Sequence, residues 1–145
     1  MGNVSYTRGK AVIGGPNGWS VGTYRVLLAA SSYTPDPLAH RFVSDVSGEL
    51  SGGGYLRQTL AGLVVAADDV LGRADFRANA VTFSPLSSTQ TYRWVIIYRF
   101  ATTDADSELL YALDMGPGGI GLTGITSHTL QWDNQPVSGR VFSLS

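Results

Sequence analysis

The sequence contains no cysteine, one lysine, two histidines and two methionines among its 145 residues. Without cysteine there is no disulfide, no zinc–thiolate centre and no thiol nucleophile, and the redox compartment stays open. Charge is scarce as well: 14% of residues are Asp, Glu, Lys or Arg, and ten basic against eleven acidic residues leave a net charge of -1. That balance gives no electrostatic footprint for nucleic acid or an anionic membrane, and we expect neither as a partner. Long hydrophobic runs are missing too. No segment approaches the roughly 18 apolar residues of a membrane helix, and residues 1–10 lack the apolar centre of a signal peptide, so the expectation is a soluble chain made in a cytoplasm.

What is present is apolar and punctuated. Hydrophobic residues make up 43% of the chain and there are 18 glycines. This composition excludes ordinary disorder, because enough apolar area exists to offset the entropy of ordering. The length fits one domain with a core of its own.

Along the chain, residues 1–22 read as a glycine-rich arm or first hairpin, with Gly14, Gly15, Pro16, Asn17 and Gly18 forming a turn cluster. Residues 23–145 read as one β domain. The run TYRVLLAASS (23–32) is a strand bounded by glycine before it and by Pro35 and Pro37 after it. Leu38, Phe42 and Val46 repeat every four residues and predict one short helical turn over 38–47. After the loop 51–54, YLRQTLAGLVVAA reads as one strand or two, with Gly62 at the bend. Residues 74–83, 92–100, 108–115, 127–133 and 140–144 supply further strands, and 116–121 a loop. The most apolar strand is 92–100, with Tyr92, Trp94, Ile96, Tyr98 and Phe100 on one face and Val95 and Ile97 on the other, which places it centrally. Short strands separated by glycine and proline predict an all-β fold, an antiparallel β-sandwich or barrel.

Two motifs resemble catalytic signatures and fail on context. Gly116, Gly118 and Gly121 fit G-x-G-x-x-G, yet the next residues, LTGITSHTLQW, have strand character where a dinucleotide site needs a helix N-terminus. Gly18-Trp19-Ser20-Val21-Gly22 fits the G-x-S-x-G elbow, which depends on a strand before the serine and a helix after it; here a proline–glycine turn precedes and a strand comes after. Asp104, Asp106 and Glu108 alternate, so an extended backbone would aim three carboxylates one way toward a hard cation, but the glycine turn and remaining ligands of a calcium loop are missing and a solvated hairpin tip explains them better. Asp68 and Asp69 are adjacent, so on a strand they face opposite sides. His40 and His128 are too isolated for a metal cluster. The expectation is therefore no catalytic residues, no cofactor and no metal.

One longer stretch is more informative. TYRVLLAASSYTPDPLAHRFVSDVSGELSGGGY (23–55) resembles the opening of small virion structural proteins of tailed bacteriophages. Further matches come in order: Ala67-Asp68-Asp69-Val70, WVIIYRF, LLYALDMG and Leu130-Gln131-Trp132-Asp133. The likeness covers most of residues 23–144, and its motifs are structural. It implies a noncatalytic virion component, foremost a capsid decoration or cement protein on the capsid surface, bound to the major capsid protein and self-associating, with a trimer as one arrangement. A tail- or fibre-associated module that binds a receptor or carbohydrate is the alternative. For either role the candidate partner-binding residues are Tyr6, Val12, Ile13 and Trp19 on the arm, with Tyr33 and Tyr55. The arm either orders on a neighbouring subunit or packs as an additional strand on its own domain.

Overall fold

The computed structural model describes residues 2–14 and 18–144, so Gly15, Pro16 and Asn17 of the expected turn cluster lie outside the described residues. The elements run β1 (Val4–Ser5), α1 (Thr7–Gly14), β2 (Tyr24–Ala29), a 3-10 turn (Val43–Asp45), β3 (Gln58–Thr59), β4 (Val64–Asp68) and β5 (Arg73–Ala78). After these come β6 (Val81–Phe83), β7 (Thr91–Tyr92), β8 (Trp94–Arg99), β9 (Glu108–Asp114), β10 (Ile120–Gly121), β11 (His128–Leu130) and β12 (Gly139–Leu144). The fold is all-β and sandwich-like, with every strand pair among the described residues antiparallel.

A five-stranded sheet in the order β1-β9-β8-β2-β3 is buried on both faces. Strand alternation divides its side chains. Tyr24, Val26, Leu28, Val95 and Ile97 enter one core with Phe76, Ala78, Val141 and Phe142 of a three-stranded sheet, β12-β5-β4. Leu27, Ala29, Trp94, Ile96 and Tyr98 enter a second core closed by Tyr6, Tyr33 and Val43. β8 is the central strand, as its two apolar faces required. β9 carries one extra residue opposite Ile97 and Tyr98, which are paired with Tyr111 and Leu109. Leu110 is the bulged residue, and it turns into the first core while Leu109 enters the second. Two small pairs, β10-β7 and β11-β6, complete the set.

Several boundaries differ from the sequence reading. The segment 74–83 is two strands serving different sheets. Asn79 divides them: its N–H donates to the Ala61 carbonyl, its carbonyl accepts from Trp132 Nε1, and its Oδ1 accepts from the Ser138 N–H. Residues 92–100 likewise split at Arg93, so Tyr92 belongs to the first core while Trp94, Ile96 and Tyr98 belong to the second. Within 38–47 the helical turn is the single 3-10 turn, fixed by Asp45 Oδ2 accepting from the N–H groups of Arg41 and Phe42 at 2.9 Å. Part of the expected loop 116–121 is strand β10.

The N-terminal segment is also built differently from a loose arm. β1 adds to the edge of β9, and α1 lies against β9. Gly9 permits this contact: a Cβ there would stand 2.5 Å from Leu110 Cα and 2.6 Å from the Leu109 carbonyl oxygen, both backbone atoms that have nowhere to go.

Candidate interaction surface

The six residues expected to be partner contacts all pack within their own domain, which for the N-terminal segment is the second of the two arrangements expected, and the rings of Trp19, Tyr33 and Tyr55 are buried instead of displayed. Tyr6 is fully buried, with its hydroxyl 2.9 Å from that of Tyr33. Tyr33 in turn reaches His40 Nδ1 at 3.0 Å, and its carbonyl accepts from Trp94 Nε1. Trp19 lies against Tyr24, Phe76 and Phe142 and donates Nε1–H to the Arg77 carbonyl at 2.8 Å. The Tyr55 hydroxyl donates to Glu49 Oε2 at 2.7 Å and accepts from the Leu28 N–H at 3.0 Å. Val12 and Ile13 are half-buried against the first core. The physical reason is common to the four rings: each has an apolar body worth burying and a polar tip that finds a partner inside. Burial also raises the Tyr6 and Tyr55 hydroxyls above the ordinary phenol range.

The residues that looked chemical are distributed rather than gathered. Residues 18–22 form a turn closed by Val21 and Gly22 N–H groups on the Gly18 carbonyl, with Ser20 exposed. The Gly116 turn leads into β10, which pairs with β7. Residues 104–106 turn instead of extending. Asp104 consequently binds Arg57, Asp106 accepts from Thr103 Oγ1, and Glu108 binds Arg41. Among the described residues no three His, Asp or Glu side chains converge as metal ligands. His128 Nε2 sits 2.7 Å from the Tyr92 hydroxyl; burial lowers the imidazole and pushes the phenol up to about 12, and the two share one hydrogen bond whose direction the imidazole tautomer sets.

A shallow cleft of about 510 Å³ lies beside β3, lined by Arg25, Glu49, Ser51, Tyr55, Leu56 and Arg57 among others. Glu49, Tyr55 and Arg57 hold one another within it. Arg57 binds Glu49 through Nε and Nη2 at 2.8 and 2.6 Å, and Asp104 through Nη1 and Nη2 at 2.7 and 3.0 Å. These bonds raise the guanidinium and hold the Asp104 carboxyl below its ordinary range. Arg25 stacks 3.7 Å over the Phe100 ring. This constellation ties Glu49, on the loop before β3, to the β8–β9 turn, and it works as a strut.

The surface that stands out is apolar. Among the described residues, five of the nine exposed large hydrophobic side chains fall within 56–71: Leu56, Val64, Val65, Val70 and Leu71. Four of these belong to the β4–β5 hairpin, two on the opposite faces of β4 and two at the hairpin tip. β4 is the edge of the three-stranded sheet, paired only with β5 among the described residues. At the tip, Asp68 Oδ1 accepts from the N–H groups of Val70 and Leu71 at 3.1 and 3.0 Å. This fixes the turn and holds Val70, 93% exposed, out in solvent. Sequence reasoning passed over this hairpin because valine and alanine in a strand read as core; the signal was the adjacency of Val64 and Val65, which leaves one of the pair facing away from any single core.

The fold and this surface define a β-sandwich domain with an uncovered apolar edge. Comparison of the chain with protein-family models, with curated proteins and with solved structures finds no match.

Proposed function

We propose that this chain is a noncatalytic structural protein of a tailed-bacteriophage particle, a decoration protein seated on the outer face of the capsid with the major capsid protein as its partner. The observation that carries the reading is the exposed apolar hairpin on a domain whose charged and aromatic groups are largely engaged internally. A small apolar contact repeated over many sites on a shell holds by avidity without a deep pocket. The resemblance over residues 23–144 supports the same reading, and its motifs fall on positions the fold constrains. Tyr33 and Tyr55 are core residues, and a Cβ on Gly54, where φ is +77°, would run into the Pro85 carbonyl. The alternative of a sugar-binding tail module relied on Trp19, Tyr33 and Tyr55 as stacking platforms, and all three are buried.

Quantitative mass spectrometry of purified particles tests the proposal. Hundreds of copies per particle are expected. A handful of copies would move the protein to the tail, and its absence from particles would overturn the virion role.

A further inference from the structure

We infer that β4 is a homotypic edge, and that two copies of this chain join through antiparallel β4–β4 pairing about a two-fold axis at Ala66, making one continuous six-stranded sheet. An edge strand presents alternating unpaired N–H and C=O groups, and such a row is satisfied by another extended strand. Natural edges are blunted by lysine, proline, a bulge or a covering element. β4, with the sequence VVAAD, has no lysine or proline, pairs with β5 in unbroken register and carries no second strand among the described residues.

The occupant is set by the side chains. Antiparallel pairing centred on Ala66 sets Ala66 against itself, Val65 against Ala67 and Val64 against Asp68 of the second copy. Small residues occupy the axis, and the two Asp68 carboxylates fall at opposite ends of the ladder, so no like charges meet. Asp68 is already held by Arg73 and by the Val70 and Leu71 N–H groups of its own copy, Arg77 by Asp75 and Arg140 by Asp133, so the pairing leaves no charge at either end without a partner. Val64 is in register with Arg77, and Arg77 with Arg140. Asp68 of the second copy therefore extends a row that ends in two arginines on the same face of the sheet. Beyond the ladder, the tip bearing Val70 and Leu71 comes level with Ala61 and Gly62 of the second copy, both exposed and small.

Five residues of ladder and one hairpin tip bury less than the roughly 800 Å² per partner of a stable complex. The pairing is accordingly weak in dilute solution and strengthens where copies are held side by side. The inference stands apart from the virion reading, since it is tested on the purified chain and the other on particles.

The absence of cysteine makes a direct test clean. Ala66→Cys places two thiols on directly opposed positions, about 4.5–5.5 Å apart at Cβ and within reach of a disulfide. Val64→Cys, in the same register, places them about 13 Å apart. Under mild oxidation Ala66→Cys should form linked dimers at least tenfold faster than Val64→Cys. An equimolar mixture of Val65→Cys and Ala67→Cys should link to each other faster than either links to itself, which keeps the test intact if one variant folds poorly. Sedimentation of the unmodified chain should show a concentration-dependent monomer–dimer equilibrium, shifted to monomer by Val65→Lys. Equal linking rates, a strictly monomeric chain at the highest attainable concentration, or a trimer would each overturn the inference and leave the edge for a strand of a different protein.

Discussion

The N-terminal segment and the β4–β5 hairpin carry similar amounts of apolar side chain and meet opposite fates. Tyr6, Val12 and Ile13 are drawn into the domain, with Tyr6 at 0% exposure, while Val64, Val65, Val70 and Leu71 stay out. The difference lies in what each segment finds beside it. The N-terminal segment meets the bulge of β9, whose Leu110 carbonyl accepts from the Tyr6 N–H at 3.0 Å, and a glycine lets the helix backbone close onto it. The free edge of the hairpin meets no further strand among the described residues. Exposure is thus decided by the availability of a matching backbone and cavity, and hydrophobicity alone does not predict it.

Four experiments break or sharpen this contrast. The largest effect is expected from Tyr6→Ala, which empties a fully buried aromatic site and removes one of the two partners of the Tyr33 hydroxyl; the loss should be about 3–5 kcal/mol in denaturant unfolding. Gly9→Ala should cost about 1–3 kcal/mol by forcing α1 off β9, and hydrogen exchange at Val4 and Ala112 should report the loosening. A result for Gly9→Ala no different from an alanine on the exposed side of α1 would show that the close approach is unimportant.

The third experiment uses acid. Arg93 binds Asp114 through two hydrogen bonds and holds its carboxyl at about 2, while the Asp114 N–H donates to Asn3 of the N-terminal segment. Because the folded value lies below the unfolded one near 4, the contribution is complete above about pH 4 and fades as pH falls toward 2. Asp114→Asn should therefore lower the unfolding temperature at pH 7, and the gap from the unmodified chain should narrow steadily below about pH 4 and close only below about pH 2. The smallest effect belongs to the other region: Val70→Ser should change stability by no more than about 0.5 kcal/mol, since its side chain touches little.

Much of the β framework was legible. β2, β9 and β12 fall within or close to the expected runs, Gly62 marks the bend between β3 and β4, and β8 is central because both its faces are apolar. What was illegible depends on partners far away in sequence. Asn79 ends β5 through bonds to Ala61, Trp132 and Ser138, none of which a local pattern reveals. α1 was hidden by Gly9, a poor helix former whose use here is contact with residues a hundred positions on. The exposed hairpin was overlooked for a related reason. Large aromatics attract attention as binding residues, yet Tyr33 and Tyr55 find internal hydrogen bonds, and the side chains left in solvent on the hairpin are three valines and a leucine.

The bulge on β9 also sets an order of events during synthesis. Tyr6 and Gly9 are made about a hundred residues before the backbone they close onto, which does not exist until Leu110 has been made and β8 and β9 have paired. At typical elongation rates of roughly 5–20 residues per second, that leaves the first segment waiting on the order of 5–20 s with Tyr6, Val12 and Ile13 unsheltered. A nascent chain stalled before residue 110 should thus present the segment around Tyr6 to chaperones or proteases, and one stalled well beyond it should not.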